Sequence, residues 1–171
     1  NNYLEGATVT VLGNTGDLVK AGCTFTGWNT EADGSGISYP PGATFIIGAS
    51  DETLYAVWTT NPTYTVTYDG NGNTGGSVPT GVNHYEAGEI VTVLANTGGL
   101  VKTGCIFKGW NTEDDGSGTN YAPADTFTMD TLDVTLYAQW APVYTVTYDG
   151  NEKTGGSVPV DTNIYETGAI V

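Results

Sequence analysis

The stretch Cys105-Ile-Phe-Lys-Gly-Trp-Asn-Thr-Glu-Asp-Asp-Gly-Ser-Gly118 is a second writing of Cys23-Thr-Phe-Thr-Gly-Trp-Asn-Thr-Glu-Ala-Asp-Gly-Ser-Gly36. Trp28 and Trp110 stand 82 positions apart (110 − 28), and at that shift residues 1–58 lie on residues 83–140 without a gap, 35 of the 58 positions being identical. Residues 144–171 then restart the text of residues 64–91 at a shift of 80 (144 − 64), because Thr59–Thr63 is replaced by the shorter Ala141–Val143. A period of this size means one small domain per repeat. Arrays of such domains are commonly spacers, stalks or filaments rather than enzymes.

In this frame residues 64–140 are one complete repeat of 77 residues (140 − 64 + 1), enough for a modest core. Residues 1–58 are a partial repeat without the opening Tyr-Thr-Val-Thr-Tyr-Asp-Gly-Asn, residues 59–63 and 141–143 are linkers, and residues 144–171 start a further repeat. That pattern is expected of a piece of a longer array. Two completions of the partial repeats are open. One is a permuted unit, 1–82 and 83–162, and the other is strand exchange between neighbouring chains.

Within a repeat, Tyr64-Thr-Val-Thr-Tyr68 alternates large apolar residues with Thr, so Tyr64, Val66 and Tyr68 share one face of a strand. Asp69-Gly-Asn-Gly-Asn73 and Gly75-Gly76 force turns, and Glu89–Leu94 is a second, β-branched strand. Asn96-Thr-Gly98 reads as the cap of a short helical stretch over Leu100-Val-Lys102, stopped by Gly104. Cys105–Trp110 is a third strand, Phe127 marks a fourth, and Leu136-Tyr-Ala-Gln-Trp140 closes the unit with Leu136, Ala138 and Trp140 on one face. The expected fold is mainly β, a mixed sheet of four or five strands with one short helical crossover (α+β).

Four segments of the complete repeat, Tyr64-Thr-Val-Thr-Tyr-Asp-Gly-Asn71, Gly109-Trp-Asn-Thr112, Asp115-Gly-Ser-Gly118 and Leu136-Tyr-Ala-Gln-Trp140, carry a resemblance; the last three return as Gly27–Thr30, Asp33–Gly36 and Leu54–Trp58. With these motifs in this order the unit resembles the Listeria-Bacteroides repeat, which includes the B repeat of internalin B. The resemblance implies compact β-grasp-like (ubiquitin-like) domains in tandem, in secreted and cell-surface proteins of bacteria and some archaea. Cys105 stands where that family often has an aromatic residue, and the acidity of this chain means that no role needing a basic surface carries over.

Acidic residues outnumber basic ones 19 to 4, for a net charge of −15. Nucleic acid and anionic membrane are therefore poor partners. No run of about 18 apolar residues and no charged-then-apolar leader occurs, so neither a membrane span nor a signal peptide is expected in this stretch.

The repeats also test candidate chemistry, because a catalytic residue should return in each copy. His84 aligns with Asn2 and Ile164 and reads as a surface residue. Cys23 and Cys105, one per repeat, cannot form a disulfide within a repeat; a small buried side chain is favoured over an inter-repeat crosslink. Asp114-Asp115 becomes Ala32-Asp33 in the first copy, which fits a solvated turn better than an acid/base pair. Asp69-Gly-Asn-Gly-Asn73 opens like a calcium loop but continues with Thr74 and Thr80 where an EF-hand needs Gly and Glu, and the third copy carries Lys153. No cofactor is expected beyond weak Ca²⁺ binding at acidic turns such as Glu113-Asp-Asp115. Trp58 and Trp140 are expected in the core, Trp28 and Trp110 equally in the core or exposed as sugar platforms, and Lys20 and Lys102 solvated rather than crosslinked.

No catalytic, cofactor or metal residue is assigned. The expectation is a non-enzymatic, extracellular spacer or stalk of a large surface protein, adhesin or filament, its partners being neighbouring repeats. Its rivals are a glycan- or protein-binding module and a subunit that self-assembles by strand complementation.

Overall fold

The computed structural model describes residues 2–81 and 84–171, which fall into two compact units, Asn1–Pro62 and Thr63–Val171. In the first, β1 (Thr8–Thr10) pairs antiparallel with β4 (Thr44–Ile46), and β2 (Cys23–Asn29) lies between β3 (Ser38–Tyr39) and β5 (Tyr55–Thr60). Thr59 and Thr60 belong to β5, opposite Thr24 and Cys23.

The second unit repeats this plan and extends it. Strands β6 (Thr63–Asp69), β7 (His84–Glu86), β9 (Cys105–Asn111), β10 (Asn120–Tyr121) and β12 (Val134–Tyr144) form one sheet in the order β10-β9-β12-β6-β7, with β13 (Tyr165–Glu166) pairing β12 beside this path. A separate ribbon joins β8 (Ile90–Thr92) to β11 (Thr126–Thr128). The opening strand β6 runs parallel to the closing strand β12, Val66 opposite Val134 and Tyr68 opposite Leu136. Every other strand pairing among the described residues is antiparallel. One core holds Val66, Val91, Val93, Leu100, Trp110, Met129, Leu136 and Ala138, with Tyr64, Tyr68, Phe107 and Trp140 packed against it. The two strand faces read from alternation are thus the faces that are buried.

The helical crossover is corrected: the described residues contain no helix, and the fold is mainly β in several sheets rather than β-grasp-like. Asn96 closes a loop instead of capping a helix. Its Oδ1 accepts from Leu100 N–H at 2.6 Å and its Nδ2 donates to the Leu100 carbonyl at 2.9 Å. Leu100-Val-Lys102 is too short to repay helix nucleation, and Val101 is held in a bridge with Gly75.

Alternation also fails in β9. Gln139 faces Gly109 while Trp140 faces Phe107, so Lys108 is an extra residue in a bulge. The bulge places Phe107 and Trp110, three apart, on one side, their rings edge-to-face at 5.2 Å. Gly109 makes this possible with φ +131° and a backbone that approaches the Tyr121 carbonyl so closely that a Cβ would lie 2.8 Å from it. The first unit has the same device at Gly27, and Phe25 and Trp28 also meet at 5.2 Å.

Candidate functional site

The repeated Gly-Trp-Asn-Thr and Asp-Gly-Ser-Gly motifs meet in one loop built around a buried amide. Asn111 is fully buried at the end of β9; its Nδ2 donates to Gly116 O at 3.2 Å and Asn120 Oδ1 at 2.9 Å, and its Oδ1 accepts from Glu113 N–H at 2.8 Å. Asn29 does the same work with Gly34 O, Gly36 O, Ser38 Oγ and Glu31 N–H. Thr112 Oγ1 accepts from Thr119 N–H at 2.9 Å, closing the loop neck. Asp115 and Asp33 are held below the usual carboxylate range, chiefly by the hydroxyls of Ser117 and Ser35 and then by their N–H groups. This carboxylate is engaged in its own turn, and Glu113 and Asp114 face solvent beside it.

The opening segment supplies the second cluster. Asp69 Oδ1 accepts from Asn71 N–H, and Asn71 Nδ2 donates to the carbonyls of Asp114 at 2.7 Å and Ala138 at 2.9 Å. Lys102, expected to be solvated, is half-buried and donates to Asn71 O at 3.1 Å. Trp140 Nε1 donates to Gly70 O at 3.1 Å, and Tyr68 OH accepts from Leu94 N–H at 2.8 Å. Burial pushes the Tyr68 phenol above its ordinary pKa, against the backbone hydrogen bond from Leu94. The Asx-rich stretch that opens like a calcium loop thus ties the opening strand to the closing strand and to the acidic loop.

The tryptophans redistribute. Trp110 is the fully buried one, at 1% exposure, with Nε1 donating to Leu94 O at 2.9 Å; Trp28 donates to Leu12 O at 2.8 Å. Trp58 and Trp140 are half-buried rather than central. The bulge explains the exchange, since it turns Trp110 inward beneath Tyr68, whose ring lies 4.7 Å away. His84 is exposed on β7, and Cys23 and Cys105 are free, partly exposed thiols. Among the described residues no group of three or more His, Cys, Asp or Glu is placed to hold a metal ion, and no helix is long and apolar enough to cross a membrane. The residues that organise both loops, Asn29 and Asn111, carry a signal that catalytic reasoning passes over. Each is an amide kept in both copies directly after a Gly-Trp pair.

The family model for the Listeria-Bacteroides repeat domain matches residues 1–57 and 64–139. A protein of Evansella cellulosilytica provisionally named a Gly-rich membrane protein is 44% identical over 155 residues, covering 88% of this chain and 17% of that protein. A second from the same organism, provisionally named a membrane protein, is 44% identical over 89 residues, covering 52% of this chain and 13% of that protein. The chain therefore spans less than a fifth of either relative. No solved structure matches it significantly.

Proposed function

The chain belongs to the Listeria-Bacteroides repeat family, and on that premise we propose that it is a non-enzymatic spacer segment of a longer bacterial cell-surface protein. The observation that carries this reading is the junction after the complete repeat; at the preceding junction β5 ends at Thr60 and β6 starts at Thr63. Strand β12 runs without a break from Val134 through Ala141-Pro-Val143 to Tyr144. Ala141 and Pro142 pair with Ile106 and Cys105, Val143 N–H donates to Gly104 O at 2.9 Å, and Tyr144 pairs with Tyr165 of the next copy. A junction held as a paired strand transmits orientation, unlike a flexible linker, whose span grows only as the square root of its length. Relatives named as membrane proteins are consistent with a surface location. The indoles of Trp28, Trp110 and Trp140 donate to backbone carbonyls, which favours packing over a sugar platform.

Small-angle scattering on arrays of two, four and six copies of residues 64–143 tests the spacer. The maximum dimension should grow in proportion to copy number. Growth as the square root would mean freely jointed domains and would remove the stalk reading.

A further inference from the structure

In the second unit the strand that opens the repeat lies beside the strand that closes it, and the two run the same way. Val66, Thr67, Tyr68 and Asp69 of β6 stand opposite Val134, Thr135, Leu136 and Tyr137 of β12. The chain enters this sheet at the start of β6, Thr63, and leaves the closing strand at its far end, Tyr144. Tension along the chain therefore draws β6 backwards and β12 forwards, each along its own axis. The hydrogen bonds of the ladder run between the strands, across that axis. They are loaded together, in shear. Were the two strands antiparallel, the same pull would open the ladder from one end, one bond at a time.

Side chains extend the seam beyond both ends of the ladder. Before its first pair, Asp133 Oδ1 accepts from Thr65 N–H at 2.7 Å. After its last pair, Asn71 Nδ2 donates to Ala138 O at 2.9 Å, and Trp140 Nε1 donates to Gly70 O at 3.1 Å. Each tie joins the opening segment to the closing one, so the same sliding motion strains them all. The seam is also dry. Val66 is 4% exposed and Leu136 and Ala138 are 0% exposed. Water cannot take over a strained bond there until the strands have already slid, and a buried donor or acceptor left without a partner is costly. On its other edge β12 is held by β9 along residues 137–142, which keeps the closing strand in the sheet while β6 is drawn.

We propose that the complete repeat is a mechanical clamp, which resists tension along the chain through shear of the parallel seam between β6 and β12. The spacer reading supplies only the source of that tension, a load held away from the cell. The clamp itself is a property of one repeat, so freely jointed domains in scattering would remove the stalk and leave the clamp to be judged by force alone.

The test is optical-trap unfolding of the 171-residue chain in two pulling geometries, with handles on azide-bearing residues placed by codon suppression and near-UV circular dichroism as the check on folding. Handles at positions 62 and 145 draw β6 and β12 in opposite directions along the seam. Handles at positions 62 and 132 stand at the same end of the two strands and peel them apart. Pro62, Leu132 and Thr145 are all exposed, so the attachments leave the core alone. At one loading rate the first geometry should need a severalfold higher force than the second. Its rupture should lengthen the tether by roughly 250 Å, the extended span of the chain from Val66 to Tyr137. In that geometry Asp133→Ala, which removes one tie of the seam, should lower the force. Equal forces in the two geometries would overturn the clamp, as would a lengthening far short of that span, which would place the resisting bonds elsewhere.

Discussion

Gly76 and Gly156 occupy the same place in two copies of the opening segment, with φ of +74° and +73°, but only Gly76 is packed. Replacing either with Ala forces a Cβ into the left-handed region, at about 1 kcal/mol. At position 156 nothing further follows. At position 76 the new Cβ would lie 2.1 Å from Gly99 O and 2.7 Å from Leu100 N, both backbone atoms that cannot rotate aside. Relief requires the loop to lift, breaking Ser77 N–H to Gly98 O at 3.0 Å and Val101 N–H to Gly75 O at 3.1 Å. Those bonds contribute about 1 kcal/mol each, and uncovering Leu100 removes roughly 1.5–3 kcal/mol of burial. Gly76→Ala should therefore destabilise the second unit by roughly 4–6 kcal/mol, against about 1 kcal/mol or less for Gly156→Ala. Urea melts in dilute solution, followed by indole fluorescence, read the difference. Equal shifts for the two variants would refute the view that the opening segment is a packed part of the repeat it begins.

Trp110→Ala should lose roughly 3–5 kcal/mol in the same melts, and Trp58→Ala less because Trp58 is only partly buried; equal losses would contradict the bulge-driven exchange of positions. Asn111→Ala should lose roughly 2–3 kcal/mol, since three polar groups of the loop are left to find new partners in a buried site, whereas an unchanged melt would make the amide dispensable. The Asp115 carboxyl is depressed in the folded state, so its stabilisation is present above its ordinary value of 3.8 and is lost as pH falls through the lower folded value. The difference in Tm between the parent and Ser117→Ala should accordingly be full at neutral pH and vanish in acid; a difference independent of pH would uncouple the hydroxyl from the carboxylate. EDTA should leave the Tm within error, and a large fall on chelation would make Ca²⁺ a structural partner of the acidic turns.

Much of the strand plan was legible because alternation is a local property. Tyr64-Val66-Tyr68 and Leu136-Ala138-Trp140 lie on the faces that period-two counting assigns them. Two features were not legible for physical reasons. The bulge at Lys108 inserts one residue, so counting from Phe107 puts Trp110 on the wrong side; Gly109, repeated as Gly27, was the visible trace of it. The Asn96 loop mimics a helix start, because an Asn side chain can bond backbone groups four residues on without any helix following. Lys102 and Asn71 illustrate a third limit. Their bond joins residues 31 apart, and nothing local announces it.

The parallel pairing of β6 with β12 decides what kind of unit a repeat is. Val66 meets Val134 across 68 residues (134 − 66), so the first strand made finds its partner only when the last has been made. Closing so long a loop requires conformational entropy to be spent before the contact stabilises anything, which makes each repeat slow to form compared with a helical hairpin of equal length. It also makes the repeat all-or-none on one side. Residues 83–140 hold a buried cluster around Leu100 and Trp110 with β6 in place, whereas among the described residues of the first copy, identical at 35 of 58 positions, Val11 is the one buried large aliphatic residue. A repeat's core thus depends on the slot beside its closing strand being filled by a Tyr-Thr-Val-Thr-Tyr strand, as β6 fills it beside β12.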